Sequence, residues 1–394
     1  MRILFVTGRF PRPGRRGDQA RAFHQIRLLS PRHRITVVTG ADPEVSVGDR
    51  SALAELCPEM IEVQRRPLSV AAGLLSGLAA GRPLQTALYD TRDLRHALRR
   101  LLAEKRHDVV HVQLVRLAAP LEEGCDVPRV LDLVDALSLN MERRRLRTRG
   151  PMSWLAAMER RRLLAYERRL CGSWEAATVV SETDRRAIGP FPNLSVNPNG
   201  VELAPFPFRD GGARPPHRIV FTGNLGYLPN VDAALWLARE ILPRVRAAFP
   251  ETTLDLVGAR PAPSLVGLAS ESAGVRVSGF VPDMHPYLAG ATVAVAPMRA
   301  GSGQLLKILE AMATGTPVVA TRLGASGLEV EDGRHILLAE TVDEFVAQIF
   351  RLFADPALGA RLGRASRTLV EDRYTWERSV ARLEEIYESV RVRT

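Results

Sequence analysis

The sequence begins twice. Ile3 to Thr7 is a short apolar run rich in β-formers, followed by a Gly/Pro/Arg loop through Gly17, a helical pattern from Asp18 with Phe23 and Ile26, and a second apolar run from Ile35 to Gly40. The same order restarts at Arg218: Ile219 to Gly223, a loop from Asn224 to Asn230, a helical pattern from Val231 with Leu235, Trp236 and Leu237, then Leu254 to Gly258. Strands buried on both faces read as continuous apolar runs rather than alternating ones, so each opening is a βαβ unit of a parallel sheet. Later runs continue each sheet, at 109–112 and 130–134 in the first half and at 275–277, 293–296 and 318–321 in the second. The fold class expected is α/β, with two Rossmann-like domains.

Length agrees, because 394 residues exceed what a single core of roughly 150 residues would use. The stretch from Glu202 to His217, thick with Pro, Gly and charge, reads as a linker. The expected division is therefore residues 1–203, a linker at 204–217, residues 218–374, and a C-terminal helix at 375–394. In that helix Trp376, Val380, Leu383, Ile386, Tyr387 and Val390 recur at helical spacing, and it is expected to pack back on the first domain. Ligands of open parallel sheets bind outside the carboxyl ends of the strands, so the expected site is a cleft in which the two sheets face each other.

Composition narrows the partners. With 46% hydrophobic and 25% charged residues the chain is globular, and its net charge of +10 favours anionic partners. Nearly all the cations are arginine, the only lysines being Lys105 and Lys307. Cys57, Cys125 and Cys171 are odd in number and far apart, which speaks against a disulfide framework or a zinc site and fits a reduced cytoplasm. No signal peptide is read at the start, and the apolar stretch from Leu68 to Ala80 is well short of the roughly 20 residues that span a bilayer. No nucleic-acid-binding signature is present, so nucleic acid is not an expected partner.

The most informative stretch runs from Val293 to Thr321. A strand leads into Arg299, Gly301, Ser302 and Gly303, then a helix from Gln304 to Thr314 closed by Gly315. A glycine-rich loop at a helix N-terminus lets backbone N–H groups approach an anion that the helix dipole also favours. Lys307 and Glu310 lie three apart, hence on one face, placing a cation near a diphosphate and a carboxylate within reach of ribose hydroxyls. The plainer alternative is a salt bridge on a solvated face.

In this setting Gly303, Lys307, Glu310 and Gly315, within Gly303-x-x-x-Lys-Ile-Leu-Glu-Ala-Met-Ala-Thr-Gly-Thr-Pro, resemble the donor-binding motif of glycosyltransferase family 4. Pro198-Asn199-Gly200-Val201 is similar to that family's signature at the end of the first domain. Val277-Ser-Gly279-Phe-Val281 resembles its nucleobase-side turn, and His111 and Asp135 match its strand-end positions in part. Gly17, Asp18 and Arg21, with Gly223 to Asn230, resemble a subgroup associated with exopolysaccharide synthesis. The resemblance implies a GT-B fold and a retaining transferase. It would use a nucleotide diphosphate sugar, UDP or GDP as carrier, as co-substrate, with no metal and no other cofactor.

Carried over residue by residue, it implies catalytic roles for Lys307, Asp135 and His111. Donor contacts are implied for Gly17, Asp18, Gly223, Asn224, Arg299, Gly301, Ser302, Gly303, Gln304, Lys307 and Glu310. The sequence departs from the family at Ser302, where a Glu is usual, at Asn224 and Asn230, near the usual Arg and Lys, and at Gln113, in place of a second His. Arg299 is then the candidate for the missing phosphate cation, or else a solvent-facing arginine.

Each residue has a plainer reading beside it: a core or capping histidine for His111, an N-cap for Asp135, a turn and cap for Gly17 and Asp18. The acceptor expected is a polysaccharide, a lipid-linked sugar or a natural-product scaffold. The alternative from another class is a non-catalytic GT-B protein that binds nucleotide and supports a second transferase. The arginine-rich segment from Glu142 to Leu170, with Trp154, Leu155 and Met158, reads either as a solvated helix packed on its own domain or as a peripheral contact with an anionic membrane at the inner face.

Overall fold

The computed structural model describes residues 1–13, 17–147, 150–210, 214–272, 274–301 and 303–392. They form two compact units, Met1–Pro198 together with Trp376–Thr394, and Asn199–Thr375.

The first unit is built on seven parallel strands: β1 (Arg2–Thr7), β2 (Arg34–Gly40), β3 (Glu59–Val63), β4 (Val109–Gln113), β5 (Arg129–Val134), β6 (Ala176–Val179) and β7 (Leu194–Val196). Their order is β3-β2-β1-β4-β5-β6-β7, with Ile3 opposite both Ile35 and Val109, so the order reverses between β1 and β4. Ile3, Leu4, Phe5 and Val6 have no exposed surface, because helices cover both faces of the sheet, and this is why β1 reads as an unbroken apolar run. β6 and β7 were not anticipated: Ala-Ala-Thr-Val and Leu-Ser-Val are too short, and the first too small in side chain, to register as apolar runs.

The second unit carries six parallel strands: β8 (Arg218–Thr222), β9 (Thr253–Val257), β10 (Val275–Gly279), β11 (Val293–Ala296), β12 (Val318–Ala320) and β13 (Leu337–Leu338). The order β10-β9-β8-β11-β12-β13 reverses between β8 and β11. A reversal of this kind splays the flanking loops and leaves a crevice at the carboxyl ends of the strands.

The C-terminal helix, Trp376–Val392, belongs to the first unit. Its Val380, Leu383, Tyr387 and Val390 pack with Ile3, Phe5, Ile26 and Leu29, and Trp376 stacks on His24 at 4.8 Å between ring centroids. Spacings of three and four residues put these side chains on one stripe, which the sheet and the helix Gly17–Leu29 bury. Among the described residues no helix is long and apolar enough to cross a membrane.

Candidate functional site

At the carboxyl edge of the second sheet the backbone is knitted through glycines. Gly223 N donates to the Val257 carbonyl at 3.0 Å and Gly258 N to the Gly279 carbonyl at 3.0 Å, tying the ends of β8, β9 and β10 together. Gly258 has φ +149°, and a Cβ there would fall 1.7 Å from the Gly223 carbonyl oxygen, so no larger residue fits. At Gly223 a Cβ would fall 2.8 Å from the Lys307 ammonium. The glycine that follows β8 therefore makes room for the head of a lysine arriving from another element.

That lysine projects from the first turn of the helix Leu306–Thr314, which Gly315 closes in the left-handed conformation at φ +74°. Leu305, at the N-cap, offers no side-chain acceptor, so the first amides of this helix stay open to an anion. Lys307 Nζ donates to Asn230 Oδ1 at 2.9 Å and lies 4.0 Å from the centre of the Phe221 ring. Asn230 is held in turn by Nδ2 donating to the Asn224 carbonyl at 2.9 Å, while Asn224 Oδ1 accepts from Gly226 N at 3.0 Å.

Among the described residues Lys307 and Glu310 form no salt bridge with each other; the lysine is held by a neutral amide oxygen instead. Burial pushes Lys307 down to about 7 and Glu310 up to about 7, and their mutual attraction partly opposes each shift. A cation kept in reserve by burial and bonded only to a neutral oxygen suits transient neutralisation of a bound diphosphate, since arriving negative charge raises its affinity for the proton.

Gly301 has φ +116°, with no atom of the described residues beyond its chain neighbours within 4 Å of where a Cβ would stand, and Gly303 has φ +70°. Ser302 lies outside the described residues. Gln304 Oε1 accepts from Asn199 N at 2.6 Å, while its buried Nε2 has no partner among the described residues. The structure turns Arg299 toward the helix Leu228–Trp236, where it forms a two-point ion pair with Asp232 at 2.7 and 3.2 Å and stacks over Trp236 at 4.9 Å. Arg299, with 42% of its side chain exposed, is thus a solvent-facing arginine whose charge Asp232 balances.

In the first unit Gly17 opens the helix Gly17–Leu29, with nothing among the described residues within 4 Å of its Cβ position. Asp18 accepts from Arg9 at 2.6 Å, and its carbonyl accepts from Gln113 Nε2 at 2.9 Å. Asp135 sits half-buried just past β5, where Oδ2 accepts from Asn140 Nδ2 at 2.7 Å. Before it, Val134 has φ +66°, and Leu114, just past β4, has φ +76°. Such conformations cost on the order of 1–3 kcal/mol each in residues with a Cβ. Leu114, Val134 and Val180 pack together at the ends of β4, β5 and β6, which over-determines the strained backbone where a ligand of this sheet would bind.

His111 requires a correction. It has no exposed surface, stacks on Phe5 at 4.3 Å, and its Nδ1 meets the Tyr387 hydroxyl at 2.9 Å. A side chain sealed beneath the C-terminal helix touches no substrate, so His111 is a core residue. Burial pushes its pKa down to about 4, with Arg21 adding to the shift and Asp132 opposing it, and burial pushes His24 to about 4 as well.

The sign of the consequence is definite. Between the ordinary value of 6.5 and about 4 the unfolded chain binds the protons that the folded chain refuses, so folding stability falls as pH drops through that window. Urea midpoints measured at pH 7 and pH 5 are expected to show the drop, and His111→Gln should shrink it; an equal drop in the variant would remove His111 from the account.

Residues 216–355 match the family described as Glycosyl transferases group 1. The phosphatidyl-myo-inositol mannosyltransferase of Mycolicibacterium smegmatis is 32% identical over 202 residues, 49% of this chain and 51% of that protein. The GDP-mannose-dependent alpha-(1-6)-phosphatidylinositol monomannoside mannosyltransferase of the same organism is 30% identical over 246 residues, 56% of this chain and 63% of that protein. The chain spans about half the length of the first of these curated relatives.

Likeness to solved structures runs end to end. Sucrose-phosphate synthase from Thermosynechococcus elongatus superposes with a TM-score of 0.74 at 18% identity, covering 100% of both chains. HepE of Anabaena in complex with UDP-glucose superposes with a TM-score of 0.70 at 16% identity, covering 99% of this chain and 100% of that one. At these identities the likeness concerns the fold, which is GT-B, two Rossmann-like α/β domains.

The group 1 match includes β8, the Gly223 loop and the Lys307 helix. In the sequence Asn230 reads only as a departure from a family pattern, and neither Gly258 nor Phe221 carries a role. The signal for Gly258 is legible, since Leu-Val-Gly at the end of β9 repeats the Phe-Thr-Gly at the end of β8. Nothing in the sequence pairs Lys307 with Asn230, 77 residues away.

Proposed function

We propose that the chain is a glycosyltransferase that moves a sugar from a nucleotide diphosphate sugar, with UDP or GDP as carrier, to a polysaccharide, a lipid-linked sugar or a natural-product scaffold. One observation carries the reading: the Lys307 ammonium, seated on Asn230 beneath the Gly223 loop, on a helix whose first amides are uncapped. Two of the relatives are named as mannosyltransferases of phosphatidylinositol-type compounds.

In this reading the diphosphate lies against the amides at 305–307 and against Lys307, which stabilise charge growing on the leaving oxygen. Glu310 accepts from the ribose hydroxyls. The bond from the sugar's anomeric carbon to the phosphate oxygen breaks while the acceptor oxygen bonds to that carbon from the same face, and the departing phosphate oxygen takes the acceptor's proton, giving retention. The sequence holds no Asp-x-Asp pair of the kind that places a metal on a diphosphate, and metal-independent transfer is proposed on that ground.

A second reading, a non-catalytic nucleotide-binding partner of another transferase, draws on Arg299, whose charge is already balanced by Asp232. Turnover separates the two. Incubation with UDP- and GDP-sugars is expected to release the nucleoside diphosphate, and to do so equally in EDTA. Absence of any release, alongside a thermal shift with nucleotide, would favour the partner reading; loss of release in EDTA with recovery in Mg²⁺ or Mn²⁺ would overturn the metal-free mechanism.

A peripheral place on an anionic membrane, at the cytoplasmic face, belongs to the same proposal. The helices Leu137–Arg147 and Pro151–Ser173 leave Leu146, Met152 and Trp154 exposed among arginines, although Arg145 and Arg160 pair with Glu142. An exposed indole beside cations fits the water–lipid boundary.

A further inference from the structure

The helix Pro67–Ala79 carries no charged residue and is packed the opposite way from an ordinary surface helix. Its buried positions are Gly73 and Gly77: a Cβ at Gly73 would fall 2.3 Å from the Asp90 carbonyl oxygen, and one at Gly77 would fall 2.5 Å from the Ala87 Cβ. The glycines thus let the helix lie directly on the segment 87–90. Three of its leucines point the other way, with Leu68 86% exposed, Leu75 71% and Leu78 39%, and Ala71 and Ala79 exposed beside them, while Val70 and Leu74 are half-buried. Positions 68, 71, 75, 78 and 79 share one stripe of a helix of 3.6 residues per turn. Leucines exposed singly need no explanation, but a continuous apolar stripe on an uncharged helix marks an interaction surface.

The charge around the stripe selects the occupant. From Val63 to Tyr89 there is no acidic residue, and Arg65 and Arg66, both exposed, stand at the head of the helix. Thirteen residues at about 1.5 Å each extend about 20 Å, too short to cross a bilayer but suited to lying in its surface with one face among the acyl chains. The support is firm: the helix rests on Leu84–Ala87, whose first amides, Leu84 N and Gln85 N, are capped by the buried Glu159 carboxylate at 3.1 Å each, and Glu159 belongs to the helix that carries the exposed Trp154.

We infer that the helix Pro67–Ala79 is a membrane-docking element, its Leu68–Leu75–Leu78 stripe seating in the interface of an anionic bilayer with Arg65 and Arg66 at the headgroups. This deepens the membrane part of the reading above and does not rest on the donor chemistry.

The test is co-sedimentation of the full chain with vesicles of phosphatidylcholine alone or mixed with phosphatidylglycerol. The parent is expected to pellet with the mixed vesicles. L68S/L75S should lower its partition coefficient at least about tenfold with an unchanged Tm. R65E/R66E, which leaves the stripe intact, should weaken binding to the mixed vesicles only. Equal partitioning of the parent and L68S/L75S overturns the inference, as does failure of the parent to bind. A lipid-free dimer of the parent that L68S/L75S abolishes would give the stripe to a second copy and overturn it too. If Trp154→Ser abolishes binding while L68S/L75S does not, the helical pair carries the contact and this helix does not. Release of nucleoside diphosphate in lipid-free solution is expected to be the same in all these variants, so failure of the docking inference and failure of the transferase reading remain distinguishable.

Discussion

Lys307→Ala is expected to lower kcat by about 10² to 10³, the cost of removing one preorganised donor from a site where charge develops. Among the described residues the lysine makes no salt bridge, and its contacts are a hydrogen bond to Asn230 Oδ1 and the face of the Phe221 ring. Glu310→Gln should act differently. It keeps the shape and one acceptor but weakens charge-assisted bonds to ribose hydroxyls, worth about 1.5 to 3 kcal/mol. Those bonds exist in ground and transition states alike, so the loss should appear as a donor KM raised roughly ten- to a hundredfold with kcat little changed.

The pH profile gives an independent view of Lys307. Burial holds its pKa near 7 in the ligand-free chain, so kcat/KM should fall as pH rises through that value. A bound diphosphate raises the pKa, and the corresponding limb in kcat should lie at higher pH. Steady-state kinetics of the parent and both variants, each checked for an unchanged Tm, decide the matter. If both variants turn over like the parent, the pair is structural and the donor site lies elsewhere.

How much of this was legible in the sequence depended on distance along the chain. β1 and β8 announce themselves because central strands of a covered parallel sheet are apolar throughout, and the helix Leu306–Thr314 because an apolar run ends at a glycine that must adopt a left-handed turn. Contacts between distant segments were not legible. In Val-Leu-Asp-Leu-Val-Asp, the two carboxylates look alike; the structure buries Asp132 completely against Arg21 and leaves Asp135 half-buried at the turn. His111 reads as a strand-end ligand because its strand is short, and only the return of the C-terminal helix, with Tyr387 some 276 residues later, seals it in the core. Arg299 ends a strand beside a phosphate-type loop, yet Asp232 and Trp236 on a separate helix claim its guanidinium.

Arg21→Ala is expected to destabilise the first unit by about 3–5 kcal/mol, a large share of the 5–15 kcal/mol that typically holds a domain folded. Arg21 and Asp132 have no exposed surface, and Arg21 Nε donates to Asp132 Oδ2 at 2.6 Å. Its other nitrogens donate to the carbonyls of Asn197 at 3.0 Å and Pro198 at 3.3 Å, tying the first helix to the chain just beyond β7. Asp132 also accepts from Gln25, Thr178 and the Val134 amide. Burial alone would raise its carboxyl, but Arg21, with His111, more than offsets that and holds it below the usual carboxylate range. A carboxylate depressed in this way contributes stability above its ordinary value of 3.8 and loses it as pH falls through the lower folded value. Removing the guanidinium strands that charge in the core and takes a donor from the Asn197 carbonyl, while the Pro198 carbonyl keeps the Ser379 hydroxyl at 2.8 Å. Asp132→Asn should cost less, because it strands no anion, although its single amide oxygen can serve either the Arg21 and Gln25 side or the Thr178 and Val134 side but not both, and Arg21 then stays buried with only neutral partners. Urea unfolding followed by tryptophan emission in a Trp236→Phe background reads the first unit, since Trp174 and Trp376 are buried in it and Trp236 belongs to the second. A midpoint for Arg21→Ala equal to that of the parent would show that water or a rearranged Gln25 takes over the pairing, and the buried ion pair would not be what anchors this helix.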